Sequence, residues 1–150
     1  MTNYVSADLR QQVAERAEFI CEYCLLHDDE SHFGSEIDHI ISLKHDGETI
    51  PKNLAYACMR CNRHKGTDLG SRNRQTGALV RFFNPRSDRW AEHFALREAA
   101  IMPLTEIGEA TVRIFGFNSP KRLTERALSM KVGLFPSAAA MEAMSQSPAQ

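Results

Sequence analysis

Apolar side chains recur at helical spacing near the start of the chain. Those that share one face are Leu9, Val13, Ala17 and Ile20. Residues three or four positions apart lie on the same side of a helix, and Ser6 stands before them as a candidate N-cap. The pattern therefore predicts an amphipathic helix over residues 7–19, which leads the chain to its first pair of cysteines.

Two short apolar segments follow, with polar sequence around them. Residues 36–41 are rich in isoleucine and residues 54–57 are short and apolar, which predicts two strands. The polar stretch 25–35 precedes the first strand as a loop, and residues 42–52 connect the strands through a long loop. A short helix is expected near Asn62, because glycines follow that residue closely.

The second half of the chain is predicted to contain one strand and several helices. Residues 78–83 predict a strand and residues 89–99 a helix. Thr105 and Ser119 are the candidate N-caps of two further helices. The buried side of the last helix is predicted to carry Leu123, Ala127 and Leu128. From residue 137 the chain is mostly Ala, Ser, Met, Gln and Pro without periodicity, which predicts disorder.

Size and composition place the chain among ordinary globular proteins. It has 150 residues, of which 43% are hydrophobic and 25% charged, and this predicts one domain with a small appendage. It has no run of about 18 apolar residues, and its start lacks the basic and apolar stretches of a signal peptide. We therefore expect a cytoplasmic protein without a membrane partner. In a reducing compartment, paired cysteines favour metal binding over disulfides.

Charge is distributed unevenly along the chain. Residues 1–59 carry a net charge of −7, residues 60–89 a net charge of +6, and the remainder is neutral overall. Seven of the eight basic residues in the positive block are arginines, which bind phosphate in a bidentate manner. The block predicts contact with nucleic acid, and a solvated charged surface is the alternative. The candidate contacts are Arg63, Lys65, Arg72 and Arg74.

The four cysteines of the chain form two CxxC pairs, Cys21 with Cys24 and Cys58 with Cys61. Each pair can form a tight knuckle whose two sulfurs face one ion, which predicts a four-thiolate Zn2+ site. The alternative is four unrelated buried cysteines, but two such pairs among only four cysteines rarely arise by chance. Because four thiolates fill the coordination sphere, this zinc is predicted to be structural.

Between the two cysteine pairs lie Asp38 and His39, and Asn62 directly follows the last cysteine. A histidine can take a proton from water near neutral pH. Carboxylate and amide oxygens suit a hard cation such as Mg2+ or Mn2+, which neutralises charge on a phosphate. We predict His39 as the base and the other two residues as ion ligands. Each residue alone is more often a surface pair or a cap, so the prediction depends on their order relative to the cysteines.

Three neighbouring polar residues have secondary roles in this prediction. Asn53 closes the long loop and is predicted to hold it, and to orient the His39 ring, by hydrogen bonding. Lys65 lies three residues after Asn62 on the same helix face, from which it can touch the phosphate. His64 points away from Asn62 on a helix, so Asn62 is preferred as the ligand.

Taken in order, these motifs resemble the HNH endonuclease family. The matching residues are Cys21-Glu22-Tyr23-Cys24, Asp38-His39-Ile40, Asn53-Leu54 and Cys58-Met59-Arg60-Cys61-Asn62-Arg63-His64-Lys65. The resemblance covers roughly residues 10–70 and implies a ββα-metal fold around one catalytic divalent ion. It implies His39 as general base, Asp38 and Asn62 as ligands to that ion, and Asn53 as the supporting residue. The third motif position is Asn62 here, with His64 two residues later.

We therefore expect an α+β protein in three parts. Residues 1–70 form the zinc-stapled core with its N-terminal helix, residues 71–136 a mainly helical extension, and residues 137–150 a disordered tail. The expected activity is metal-dependent nicking or cleavage of duplex DNA with weak sequence specificity. The alternative is a non-catalytic zinc-ribbon module that binds nucleic acid or protein. In the extension, we expect Phe82, Phe83 and Trp90 to form an apolar seam that packs the C-terminal helices on the core, and stacking of these rings on nucleic-acid bases is the alternative.

Overall fold

The computed structural model describes residues 4–146, and their fold is α+β. The helices are α1 (Ala7–Arg16), α2 (Met59–Lys65), α3 (Trp90–His93), α4 (Glu106–Phe115), α5 (Pro120–Lys131) and α6 (Ala138–Ser145). The strands are β1 (Ser35–His39), β2 (Leu54–Cys58), β3 (Gly70–Arg72), β4 (Leu79–Arg81), β5 (Phe94–Arg97) and β6 (Ala100–Pro103). They pair in sequence order as three antiparallel two-stranded ribbons. Among the described helices, none has the length and apolar character needed to span a membrane.

A ββα unit forms the centre of the first half, as the resemblance implied. Strands β1 and β2 are antiparallel, with Asp38 opposite Ala55 and His39 opposite Leu54. Helix α2 follows β2 without a break, because the Cys58 side chain caps its first turn by accepting a hydrogen bond from Cys61 N. The cysteine pair is therefore both a turn of helix and a metal knuckle, and it fixes α2 against the ribbon.

Helix α1 confirms the predicted amphipathic segment, although it is shorter than expected. Ser6 caps it by accepting a hydrogen bond from Leu9 N at 3.1 Å, and its buried Val13 packs with Leu54 of β2. The helix ends at Arg16, where 7–19 was predicted. Two residues just beyond it, Glu18 and Phe19, have positive φ angles of 53° and 62°, and such angles terminate a right-handed helix.

The helix predicted over residues 89–99 is wrong in its second half. Only Trp90–His93 are helical, and the chain then forms the β5–β6 ribbon with a turn at Glu98, whose φ is 53°. Phe94 of β5 and Ile101 of β6 are fully buried. Packing of these side chains outweighs the local helical preference, so the extension contains both helices and β-ribbons where mainly helices were expected.

The end of the chain differs from the prediction in two ways. Helix α5 begins near Ser119 as expected, but Leu128 on its predicted buried side is 59% exposed, and Arg122 and Arg126 are buried instead. Residues 138–145, predicted to be disordered, form α6, which Ser137 caps through Ala140 N at 3.2 Å. The small alanine side chains of α6 let its backbone pack closely against the apolar core, in which Ala140 is buried. Residues 147–150 of the predicted tail lie outside the described part.

One apolar cluster joins the extension to the ββα unit. It contains all four cysteines together with the aromatic side chains Phe82, Phe83, Trp90, Phe94, Phe115 and Phe117. The Trp90 indole donates a hydrogen bond to Tyr23 O at 2.8 Å, which ties the extension to the first cysteine knuckle. The expected seam of aromatic residues is therefore confirmed.

Candidate metal centre and active site

The two cysteine knuckles converge on one point, as their spacing predicted. The four Sγ atoms lie within 4.8 Å of one another, and all four side chains are buried. In each knuckle the backbone N–H of the second cysteine points at the sulfur of the first, at 3.4 Å for Cys24 and 3.5 Å for Cys61. Among the described residues, this is the one cluster of three or more His, Cys, Asp or Glu side chains placed to share an ion.

The sulfur positions fit zinc in size and chemistry. A tetrahedron with zinc–sulfur bonds of about 2.3 Å places its sulfurs about 3.8 Å apart, and the Cys24 and Cys58 sulfurs are 3.7 Å apart. Four thiolates are the ligand set of a structural zinc site. The zinc predicted from the cysteine spacing is thus supported by a preformed cage, which links the start of the chain to α2.

An arginine of the extension reaches this cage, which the sequence did not reveal. Arg122 on α5 donates from Nη2 to Cys61 Sγ at 3.2 Å, and the side chain is 6% exposed. Burial alone lowers the pKa of Arg122, but the negative charge of Cys61, Cys24 and Cys58 outweighs burial and raises it above its ordinary value. The guanidinium is therefore a fixed positive charge beside the thiolates.

Asp38, the predicted carboxylate ligand, lies inside the protein rather than on an open surface. It is 4% exposed. Its Oδ2 accepts a hydrogen bond from the Tyr23 hydroxyl at 2.6 Å, and its Oδ1 lies 3.2 Å from Lys65 Nζ. Lys65 is 2% exposed and also donates to His39 O at 3.0 Å. This buried ion pair connects the end of β1 to the last turn of α2.

The predicted contact of Lys65 with a phosphate does not fit this arrangement. The ammonium is buried and bound to Asp38 and to the His39 carbonyl, so it faces the protein interior. The long aliphatic stem of a lysine can bury along a helix when its charge finds a partner. A phosphate contact from Lys65 would require this ion pair to open.

His39 is more accessible than Asp38 and has its own hydrogen-bond partner. His39 is the last residue of β1 and pairs with Leu54 of β2, and neighbouring residues of a regular strand point to opposite faces. The half-buried ring places Nε2 2.9 Å from Thr49 Oγ1. Thr49 was not identified from the sequence, because a threonine in a long polar loop carries no pattern of its own.

The electrostatic surroundings of these two residues shift their pKa values in opposite directions. Burial raises the pKa of the Asp38 carboxyl above its usual value, although Lys65 and Tyr23 oppose that shift. Burial lowers the pKa of His39 below its usual value, while the Asp38 charge opposes this and the Lys65 charge adds to it. A lowered pKa favours the neutral ring, the state in which an imidazole can accept a proton.

Asn53 holds the loop between the two strands through hydrogen bonds to the loop backbone rather than to the His39 ring. Its Oδ1 accepts from Ile41 N at 2.9 Å, and its Nδ2 donates to Ile41 O at 3.0 Å and to Glu48 O at 2.8 Å. Gly47 leaves room for this clamp, since a Cβ there would lie 1.6 Å from Ile41 O. Asn53 thus fixes the loop one residue before Thr49, and Thr49 in turn contacts the ring.

The structure separates the two candidates for the second ligand. Asn62 is half-buried on α2 and lies three residues before Lys65, on the face that carries Lys65 to Asp38. The exposed His64 ring instead lies beside Gly116, at the end of α4, where a Cβ would be 3.5 Å from His64 Cε1. Asn62 as the second ligand stays a prediction.

Only part of the positive block points outward. Four of its basic side chains are ion-paired within the protein: Arg60 with Glu125, Lys65 with Asp38, Arg81 with Asp88, and Arg86 with Glu22. Arg63, Arg72 and Arg74 are exposed on α2, on β3 and just after it. The charge offered to a polyanion is therefore smaller than the sequence count suggested, and it centres on these three arginines.

The carboxylate of Asp38 suits a divalent cation in chemistry, provided that Lys65 leaves room for the ion. Each Asp38 oxygen accepts one hydrogen bond, and a carboxylate oxygen has a second lone pair for a metal. Mg2+ and Mn2+ prefer such oxygen ligands. Because the Lys65 ammonium already lies at Oδ1, a divalent ion at Asp38 must share the carboxylate with Lys65 or replace it.

Comparison with known proteins agrees with the resemblance seen in the motifs. The family model of the HNH endonuclease matches residues 21–68, a range that contains both cysteine pairs, β1, β2 and α2. The resemblance to an HNH endonuclease domain is thus confirmed over these residues. Searches of the curated proteins and of the solved structures gave no match.

Proposed function

We propose that this protein is a metal-dependent endonuclease that hydrolyses phosphodiester bonds of DNA, with His39 as its general base. The observation that carries the proposal is the His39 ring at the end of β1. It is half-buried and hydrogen-bonded to Thr49, its pKa is lowered by burial, and it lies within the range that matches the HNH endonuclease model.

The ring geometry supports a specific role for each nitrogen. In the tautomer whose Nε2–H donates to Thr49 Oγ1, the Nδ1 atom carries the lone pair that a base needs. Nδ1 would accept the proton of an attacking water, and Thr49 would hold the ring in that orientation. Fixing the tautomer through the second nitrogen is a common way to orient a reactive histidine.

Asp38 and Asn62 would hold the divalent ion, Mg2+ or Mn2+. When bound, such an ion neutralises negative charge on the scissile phosphate and orients it for attack. Asp38 supplies a carboxylate whose position Tyr23 already fixes. Lys65 keeps a positive charge beside that carboxylate in the absence of an ion, so the buried carboxylate is compensated in either state.

DNA is the proposed substrate, and its backbone would contact the exposed arginines Arg63, Arg72 and Arg74. Such phosphate contacts position a nucleic acid without reading its sequence, so sequence specificity is proposed to be weak. A protein with a single active site would nick one strand of a duplex. The duplex substrate and the cytoplasmic location remain predictions from the sequence.

A plasmid nicking assay tests the proposal directly. Purified protein is incubated with supercoiled DNA in Mg2+, Mn2+ or EDTA, and the variant His39→Ala is compared with His45→Ala, which removes an exposed histidine of the same loop. We expect cleavage with a divalent ion and a rate loss of about 10²–10⁴ for His39→Ala. His45→Ala should cut like the wild type, and both variants should keep their zinc.

Two outcomes would contradict the proposal. Equal cleavage by the wild type and His39→Ala would show that another group acts as the base. Binding of DNA without cleavage in any metal would favour the alternative, a zinc-ribbon binding module. Single-stranded DNA and RNA, offered in parallel at equal concentration, identify the preferred nucleic acid.

A further inference from the structure

Helix α5 buries positive charge beside the metal cage. Arg122 and Arg126 are each 6% exposed, while Leu128 on the same helix points into solvent. Burying a guanidinium is unfavourable unless it is paired or fully hydrogen-bonded. The contacts of these two side chains should therefore show what their burial serves.

Arg126 is satisfied by the backbone. Its Nη1 donates to Ala99 O at 2.7 Å and its Nη2 donates to Phe117 O at 2.8 Å. These bonds tie α5 to the β5–β6 turn and to the segment after α4. Burial lowers the pKa of Arg126, and the nearby thiolates only partly oppose that. Arg126 therefore acts as a clamp between parts of the extension.

Arg122 combines a similar clamp with a sulfur contact. Its Nη1 donates to Phe115 O at 2.9 Å, at the end of α4, where the carbonyl groups carry partial negative charge. Its Nη2 donates to Cys61 Sγ at 3.2 Å. One planar guanidinium thus bridges a helix C-terminus in the extension to a sulfur of the metal cage.

We propose that Arg122 is a positioning residue of the zinc site, which makes the C-terminal extension part of that site. The charge of four thiolates exceeds that of Zn2+, so the loaded cage is negative and buried. A guanidinium hydrogen-bonded to Cys61 compensates this charge and fixes the direction of the sulfur. The family model covers residues 21–68, so Arg122 supports the cage from outside the range that the model matches. This inference is independent of the proposed nuclease activity.

The expected loss of zinc affinity follows from what hydrogen-bond partners of metal ligands contribute in other proteins. Removing a hydrogen-bond partner of a metal ligand typically weakens metal affinity about 10–100-fold. Arg122→Met keeps the length and apolar stem of the side chain but loses the charge and the donors. Arg126→Met is the matched control, because it removes an equally buried guanidinium from the same helix without removing a donor to sulfur.

The test measures zinc itself rather than cleavage. Full-length proteins loaded with zinc are titrated with a chromogenic zinc chelator, and the same proteins loaded with Co2+ are examined for their thiolate-to-cobalt absorption band. Thermal midpoints are recorded in parallel. We expect Arg122→Met to lower zinc affinity about 10–100-fold and to shift the cobalt band, while Arg126→Met lowers the thermal midpoint and leaves both metal signals near those of the wild type.

A conservative pair of variants covers the case in which a methionine prevents folding. Arg122→Lys keeps the positive charge but has no fork to reach both the carbonyl and the sulfur, so we expect an intermediate loss of zinc affinity. Arg126→Lys should leave affinity unchanged. Equal zinc affinities in the Arg122 and Arg126 variants of either pair would overturn the proposal and leave Arg122 as a backbone clamp only.

Discussion

The buried ion pair of Asp38 and Lys65 makes a quantitative prediction about stability. In Lys65→Met the Asp38 carboxylate stays buried and keeps only the hydrogen bond from Tyr23. Lys65 and Asp38 are 2% and 4% exposed, so water cannot replace the lost ammonium. Removing one partner of a buried pair costs about 3–5 kcal/mol, against about 0.2–1 kcal/mol for an exposed pair. We expect the larger loss for Lys65→Met.

Urea unfolding at a fixed excess of zinc measures this loss. Trp90 is the one tryptophan of the chain, and its indole donates to Tyr23 O, so its fluorescence reports on the surroundings of the pair. Lys44→Met removes an exposed lysine of the neighbouring loop and should leave the unfolding free energy within about 0.5 kcal/mol of the wild type.

The double variant Asp38→Asn/Lys65→Met separates the pair from its surroundings. Replacing both charges removes the uncompensated one, so the double variant should lose less stability than the two single variants together. The deficit of Lys65→Met should also shrink as the pH falls. Burial already raises the pKa of Asp38, and an unpaired carboxyl protonates at still higher pH, which removes the buried charge. Additive single losses, or a deficit that grows towards acidic pH, would refute this reasoning.

Three further predictions follow from the site. Removing zinc with a strong chelator should unfold the ββα unit, seen as loss of circular dichroism and of the native Trp90 emission; native signals in protein shown to be metal-free would contradict a structural role. Cleavage should increase with pH through the pKa of His39 and level off above it, with a midpoint below the ordinary pKa of a histidine because burial lowers the pKa of His39; a midpoint above that ordinary pKa would show that His39 is not the titrating base. Asn53→Ala removes three hydrogen bonds from the loop and should cost about 1.5–4.5 kcal/mol of unfolding free energy, whereas the exposed Lys52→Ala should unfold like the wild type. A normal urea midpoint for Asn53→Ala would mean that the clamp contributes nothing.

The parts of the fold that follow a local pattern were predictable from the sequence. The cysteine spacing predicted a cage that the structure forms, and the apolar segments predicted β1 and β2 to within two residues. Both depend on short-range geometry, in which side-chain period and knuckle spacing leave few alternatives. The helix predicted over residues 89–99 was wrong because the choice between helix and ribbon depended on where Phe94 could be buried. Phe94 packs against Phe117, which lies more than twenty residues away in the sequence.

The burial of three charged side chains could not be predicted from the sequence, for a related reason. Lys65, Arg122 and Arg126 sit among other charged residues in the sequence, and lysine and arginine are exposed in most proteins, so a pattern of charges predicts surface. Their burial depends on partners that only the folded chain brings near: Asp38 on β1 for Lys65 of α2, and a sulfur of the cage for Arg122. In both cases the positive charge compensates a negative group already forced inside by the ββα unit. The buried cations, both inside the ββα unit and at its contact with the extension, thus give the weakest sequence signal, because their role is set by the negative group they neutralise and not by their neighbours in the chain.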